Sequence, residues 1–496
     1  MAVDLLPGPN QLPLYITVPL SLLVVLLTAV LTRILANYLL NGSRPPVFEG
    51  VPFIGGLLKF AVDKPMKLMS DGYAKHGEAF TVPVAHKRIT FLIGPDVAPH
   101  FFKATDDEMS QSEVYSFNVP TFGPGVVYDV DQKTRTEQFR WFTEALKKDR
   151  LRAYVPQFVA EAEQYFAQWG NEGVVDFAQE FAKLVTLTAA RTLLGREVRE
   201  QLFEQVTDLM HDLDAGMLPV SVMFPYLPIP AHFARDKARK QLRDIFGKVI
   251  QARRASGRRE EDVLQQFIDA RYQNVNNGRA SNEDEITGLL IATLFAGQHT
   301  SSITTAWTGL HMAADKGKSL AAALEEQRAV MRQHGSTLDF DILSGMDVLH
   351  RNITEALRMH PPLILLMRYA KQPFTITTSS GRKFTVPKGD VVAASPNFSH
   401  MLPHVFKEPE QYDPLRFAEP REEDKARQFA FIGFGGGRHG CIGSNFAYLQ
   451  IKTILSVLLR NFDIELLDPL PAPDYNSMVI GPLPCRVRFT RRQLVT

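Results

Sequence analysis

The stretch that decides the fold is Phe434-Gly435-Gly436-Gly437-Arg438-His439-Gly440-Cys441-Ile442-Gly443. One cysteine stands in a nest of glycines. Glycine lets main-chain N–H groups approach a sulfur closely, and such donors favour the thiolate over the thiol. The next run, Ser444–Leu458, carries a helical pattern, so its N-terminal dipole points at the same sulfur. A phosphate-cradling loop is excluded. Gly433-Phe434-Gly435 lacks the third glycine of that fingerprint, since position 438 is Arg, and no βαβ unit surrounds it. The other cysteine, Cys485, lies between Pro484 and Arg486 in a strand-like terminal run and reads as an inert buried thiol.

The remaining chain reads as one large unit behind a membrane anchor. Its 496 residues are 45% hydrophobic and 22% charged, enough for a sizeable core. The 55 Lys+Arg nearly balance 54 Asp+Glu, which excludes nucleic-acid binding through net charge. Two cysteines exclude a disulfide scaffold and a four-thiolate zinc site. No residue from Leu12 to Thr32 is charged, and a run of about 20 apolar residues matches the bilayer core. A cleaved signal peptide would have ~7–15 apolar residues behind a basic leader. Here the leader carries only Asp4, while Arg33 and Arg44 follow the span. The positive-inside rule then makes residues 1–11 lumenal and 12–40 an uncleaved transmembrane signal anchor with its helical end. Residues 41–56, with Arg44-Pro45-Pro46, form a Pro/Gly-rich linker, and 57–496 form the cytosolic domain.

That domain is expected to be mainly α with small β-sheets. Phe80–Val84 and Ile89–Ile93 alternate like a hairpin, helical patterns run from Thr136 onward, and strands return near Phe374–Thr385 and at the C-terminus. No repeat or Ser/Gly linker divides it. Arg253-Arg254 and Arg258-Arg259, followed by Glu260-Glu261-Asp262, read as a solvated loop. Mid-chain, Asn282 with Glu285 caps a helix that runs to about Asp315, roughly 50 Å long. Its centre is Phe295-Ala296-Gly297-Gln298-His299-Thr300-Ser301-Ser302, where a helical glycine costs about 1 kcal/mol unless a ligand approaches there. Glu355-x-x-Arg358 and Asp413-Pro414-Leu415-Arg416-Phe417 follow in order. A zinc site on His400 and His404 is remote, because Pro403 breaks the helix and no glutamate follows His400.

In this order the motifs resemble the cytochrome P-450 haem-thiolate monooxygenases, with Cys441 as the axial ligand of haem iron. His439, His299 and the loop Tyr115–Asp129 resemble the sterol 14α-demethylase branch, in its plant and algal form. The resemblance implies the haem-thiolate fold and haem b as cofactor, with dioxygen as co-substrate and electrons from NADPH through NADPH–cytochrome P-450 reductase. It implies a monomer in the endoplasmic reticulum membrane that removes a sterol 14α-methyl group as formate, preferring obtusifoliol to lanosterol through Phe117.

By the same resemblance, Thr300 and His299 relay protons in catalysis. Tyr115, Tyr128, Arg368, His439, Phe434, Gly435, Gly443, Ala296 and Gly297 hold haem or its dioxygen groove. Phe117, Phe122, Phe295, Ala292, Leu363, Leu365 and Met478 line the sterol cavity. Glu355, Arg358 and Arg416 form a buried structural network. The loop Phe224–Pro230 faces the bilayer, and Lys147, Lys148, Arg150 and Arg152 face the electron donor. Alternatives are a monooxygenase of another lipophilic substrate and a non-catalytic haem-binding protein; the second has no use for the Gly297–Thr300 groove.

Overall fold

The computed structural model describes residues 43–48, 65–84, 87–315, 317–475, 477–492 and 494, with scattered positions between 21 and 32. The expected lumenal segment 1–11, the anchor 12–40 and most of the linker 41–56 lie outside the described residues. No helix among the described residues is long and apolar enough to cross a membrane.

A helical body carries small sheets at its edges. The largest sheet begins with the antiparallel pair Ala79–Val84 and Lys87–Leu92, where Phe80 stands opposite Phe91 and the two rings stack 5.2 Å apart. Lys87–Leu92 then pairs parallel with Val391–Ala394, which pairs antiparallel with Leu366–Ala370, and Met109–Ser110 closes the edge. A second sheet places Arg486–Arg491 between Glu172–Asp176 and Phe462–Leu466. Cys485 is buried just before that strand.

One helix, Glu283–Ala314, crosses the body and packs against the helices Phe177–Ala189, Pro230–Ser256, Asp347–Met359 and Ser444–Asn461. Its start is a capping box: Glu285 N–H donates to Asn282 Oδ1 at 2.8 Å, and Asn282 N–H donates to Glu285 Oε2 at 2.9 Å. Ile286, Leu289, Leu290 and Ile291 bury one end, and Ala306, Trp307, Leu310 and Met312 bury the other. Between them, residues 292–300 are only partly covered, apart from Leu294. The helix is therefore held at both ends and open in the middle.

Two expectations need correction. Arg253 is not in a solvated loop. It lies in the helix Pro230–Ser256, 3% exposed, with Glu197 Oε2 and Asp262 Oδ2 each 2.7 Å from Nη2. Asp262 caps the next helix, Val263–Asp269, and so folds back onto an arginine nine residues earlier. The run Tyr115–Asp129, read as neither helix nor strand, forms short helical turns at Ser116–Asn118 and Val119–Phe122. Pro120 is tolerated because it sits in the first turn, where its missing N–H has no helical partner. Gly123, with φ 104°, ends the second turn.

Candidate active site

The Cys441 loop is a tight nest. Gly435 and Gly437 have φ of 68° and 61°, and a Cβ on Gly437 would fall 2.1 Å from the Phe102 carbonyl oxygen. Only glycine fits that position. The Cys441 N–H donates to Phe434 O at 2.8 Å, which fixes the turn. Burial raises the thiol above its ordinary pKa, while the Gly443 and Ser444 N–H groups aimed at the sulfur pull the other way. The side chain still has an accessible face. Backbone dipoles alone do not make this sulfur a thiolate, whereas a coordinated metal ion deprotonates a thiol outright.

The crossing helix presents its open middle as a second wall. A Cβ added to Gly297 would meet nothing within 4 Å, so the backbone borders free space there. The Thr300 hydroxyl donates to Ala296 O at 2.6 Å, which commits its hydrogen to the helix and leaves its oxygen as an acceptor. His299 reaches the other way, with Nε2 3.3 Å from Asp214 Oδ1 on the helix Phe203–Ala215. Asp214 carries no sequence signal of its own.

Aromatic rings link this helix to the rest of the site. Ring centroids lie 6.3 Å apart for His299 and Phe295, 6.1 Å for Phe295 and Phe122, 6.3 Å for Phe122 and Tyr128, and 5.5 Å for Tyr128 and Tyr115. Phe117 is buried beside Tyr115, at 6.3 Å. Tyr115 OH accepts from Met367 N–H at 3.1 Å, and Met367 precedes Arg368 in its strand. Arg368 Nη1 donates to Phe101 O and Ala104 O at 2.9 and 3.0 Å. Its Nη2 lies 3.4 Å from Asp106 Oδ1, which also accepts from His439 Nε2 at 2.7 Å. His439 is two residues before Cys441. The chain of contacts thus runs unbroken from the cysteine loop to Asp214.

The donors around that chain suit a ligand with two carboxylates. Arg135 Nη1 and Arg368 Nε are buried without a hydrogen-bond partner. Burial pushes the Tyr115 phenol up to about 12 and raises that of Tyr128, so both hydroxyls stay protonated and can donate. Arg135 lies over the Tyr128 ring, 5.2 Å from its centroid. Burial lowers the His439 pKa, and Asp106 opposes the shift. These orphaned donors, a sulfur with an accessible face and the open helix backbone fit haem, which Cys441 would hold, with the arginine and tyrosine donors left for its carboxylates. Sequence reasoning missed Asp106 and Arg135, which sit in a turn and on the helix Gln132–Ala145 with no motif to mark them.

Glu355, Arg358 and Arg416 form a fully buried cluster. Glu355 accepts from Arg358 Nε at 2.7 Å, from Arg416 Nε at 3.0 Å and from Asp413 N–H at 2.9 Å. His400 belongs to the same region. Its Nδ1 bonds Arg358 O at 3.1 Å and its Nε2 accepts from Ile432 N–H at 2.8 Å, so both ring nitrogens are committed and no zinc ligand remains. Leu363 and Met478 are exposed, on segments joined by the Ile480 N–H donating to Pro362 O at 2.8 Å. Leu365 is half-buried and packs on the sheet-side cluster of Phe80 and Phe91. Ala292 is half-buried, one turn before Phe295.

Comparison with known proteins agrees with this geometry. The model of the family described as Cytochrome P450 matches residues 45–489. An obtusifoliol 14-alpha demethylase of Sorghum bicolor is 55% identical over 480 residues, covering 96% of each chain. A sterol 14-demethylase of Arabidopsis thaliana is 53% identical, over 95% of this chain and 97% of its own. A lanosterol 14-alpha demethylase of Homo sapiens is 36% identical, over 91% of this chain and 87% of its own. A retinoic acid-bound cyanobacterial CYP120A1 shares the fold, with a TM-score of 0.77 at 23% identity over 91% of this chain and 99% of that one. The chain therefore belongs to the cytochrome P450 family, on the branch of the sterol 14-demethylases.

Proposed function

We propose that the chain is a sterol 14α-demethylase acting on obtusifoliol-type sterols that carry a single C4 methyl group. The observation that carries this reading is the ring path Tyr115–Tyr128–Phe122–Phe295–His299, which runs from the Arg368 strand to the open middle of the crossing helix. The names of the relatives support it. Haem bound through Cys441 supplies reductive activation of dioxygen and insertion of one oxygen atom into a C–H bond. The 14α-methyl group passes through alcohol and aldehyde and leaves as formate, with a new Δ14 double bond. Each of these turns consumes one dioxygen, two electrons from NADPH and two protons.

The chain's own residues do the rest. Phe117, Phe122 and Phe295 exclude water and hold the neutral ring system. Tyr115, Tyr128, Arg135, Arg368 and His439 anchor the propionates. Asp214 takes a proton from solvent and passes it to His299, and Thr300 positions the acceptor beside Gly297. Electrons enter from NADPH–cytochrome P-450 reductase on the basic face after the helix Gln132–Ala145. There Lys147 and Arg152 pair with Glu144 and Asp341 at 2.6 and 2.7 Å, while Lys148 and Arg150 have no carboxylate partner among the described residues. Phe224, Tyr226 and Phe233 are 58%, 70% and 62% exposed, an apolar face suited to membrane lipid beside the sterol entrance. This reading places the domain on the cytosolic side of the endoplasmic reticulum, anchored by residues 12–40.

Titration of the ferric holoenzyme with sterols tests the reading. Obtusifoliol should convert low-spin to high-spin haem, at lower concentration than lanosterol. Absence of a spin shift with either sterol would overturn it.

A further inference from the structure

The ring of Tyr448 links the cysteine loop to the helix that carries Glu355. Tyr448 lies one turn into the helix Ser444–Asn461, and a long helical side chain leans back over the preceding turn, here toward Cys441. Its ring centroid is 5.3 Å from that of Phe434 and 4.3 Å from that of His350. His350 belongs to the helix Asp347–Met359, and Phe434 belongs to the loop. Gly433 brings the two together, because an added Cβ would fall 2.8 Å from Leu357 Cγ of that helix.

One hydrogen bond fixes the ring. Thr354 Oγ1 lies 2.8 Å from His350 O and 2.8 Å from Tyr448 OH. A carbonyl only accepts, so the threonine hydrogen goes to His350 O and the phenol must donate to Thr354. Burial pushes the Tyr448 phenol up to about 12, which keeps that hydrogen in place. Both flanks of the cysteine turn meet at this support. On one side, Phe434 O accepts the Cys441 N–H at 2.8 Å. On the other, the Gly443 and Ser444 N–H groups face the sulfur from the start of the Tyr448 helix.

We propose that Tyr448 is a positioning residue for the Cys441 loop, acting through Phe434 and through the Gly443 and Ser444 N–H groups. Pinned to Thr354, it keeps these groups at fixed distances from the sulfur. N–H donors stabilise negative charge on a sulfur ligand, and such outer hydrogen bonds are one of the protein's levers on a haem potential. The reduced centre carries one more electron than the oxidised one, so looser donors favour the oxidised form. This role rests on Cys441 holding haem iron and not on the identity of the sterol.

The test measures the ferric–ferrous potential and the C–O stretch of the ferrous carbon monoxide complex, in the full chain with haem. Tyr448→Phe keeps the ring and drops the hydrogen bond. It should lower the reduction equilibrium constant about threefold, within the net worth of one hydrogen bond. Tyr448→Leu removes the ring as well and should lower it about tenfold, a shift of about 59 mV for one electron. The C–O stretch should fall with it, as more electron density reaches the iron. Thr354→Val should match Tyr448→Phe, and Thr354→Ser, which keeps the acceptor, should stay at the wild-type value. Tyr412→Phe is the control for a purely structural effect. Tyr412 OH bonds Asn352 on the same helix at 2.9 Å, and its ring stacks on His311 instead of Phe434. Its potential should equal that of wild type. Wild-type potential and C–O stretch in both Tyr448→Phe and Thr354→Val, or an equal shift in Tyr412→Phe, would overturn the proposal. A wild type lacking the thiolate-type carbon monoxide band would overturn the ligand assignment itself, so the two failures are told apart.

Discussion

His299 Nε2 lies 3.3 Å from Asp214 Oδ1, and this contact ties the open middle of the crossing helix to the helix Phe203–Ala215. Both side chains are partly exposed, at 33% and 48%, so the pair touches bulk water. In the proposed function this carboxylate and imidazole serve as the proton inlet. Asp214→Ala and His299→Ala should each slow turnover about a hundredfold, the lower end of what positioned proton transfer contributes. The sterol-induced spin shift should persist, because neither residue is asked to hold the sterol. Thr300→Ala should act differently, lowering product formed per NADPH and raising peroxide. Wild-type turnover in Asp214→Ala would remove it from the relay.

Selectivity should reside at Phe117, buried beside Tyr115 with ring centroids 6.3 Å apart. A phenyl ring near the sterol A ring fills the volume that a second C4 methyl group needs. Overpacking of that kind costs ~1–3 kcal/mol, a preference of roughly ten- to a hundredfold. Phe117→Leu should raise kcat/KM for lanosterol relative to obtusifoliol. Paired measurements on both sterols decide it, and an unchanged ratio would move selectivity elsewhere.

The Glu355 cluster makes a stability prediction. Glu355 is fully buried and bridges Arg358 and Arg416, and Arg416 is also paired with Glu423 at 2.8 Å. Removing its charge leaves the buried Arg358 guanidinium without its carboxylate and Arg416 with Glu423 alone, and breaking a buried pair in this way costs about 3–5 kcal/mol. Glu355→Gln should therefore lower the melting temperature and the fraction of chain that retains haem. Thermal denaturation with haem quantitation measures both, and a wild-type melting point would show the cluster to be dispensable.

Acid should destabilise the fold through its buried histidines. Burial, aided by Lys452, lowers His350 to about 4, and burial, aided by Arg358, lowers His311 and His400 to about 3. In the unfolded chain each titrates near 6.5. Between those values the unfolded state binds more protons, so stability is full above about pH 6.5 and declines as pH falls toward the folded pKa. The slope is at most about 1.4 kcal/mol per pH unit for each histidine. His350 stacks on Tyr448 at 4.3 Å, and His350→Phe keeps a ring there without a proton site. Its melting temperature should fall less than that of wild type between pH 7.5 and 5.5, and equal slopes would contradict the assignment.

Much of this site is legible in the sequence because its signals are local. Gly437 must be glycine for reasons contained in one turn, and Asn282 and Glu285 cap each other across three residues. The parts that were not legible depend on distant segments meeting. Asp106 is 333 positions from the His439 it binds, and Asp214 faces His299 from another helix. Arg253 was misread because a charge run looks solvated until the chain folds Asp262 back upon it. The Tyr115–Phe122 turns were missed for a related reason: proline and glycine forbid a long helix, not a single turn.

The most direct measurement is product analysis of the reconstituted enzyme, with obtusifoliol, NADPH and reductase supplied. The account expects the Δ14-sterol and formate in equal amounts, with alcohol and aldehyde forms appearing transiently before them, and no product from Cys441→Ser. A stable product hydroxylated elsewhere, or sterol consumed without formate, would contradict it.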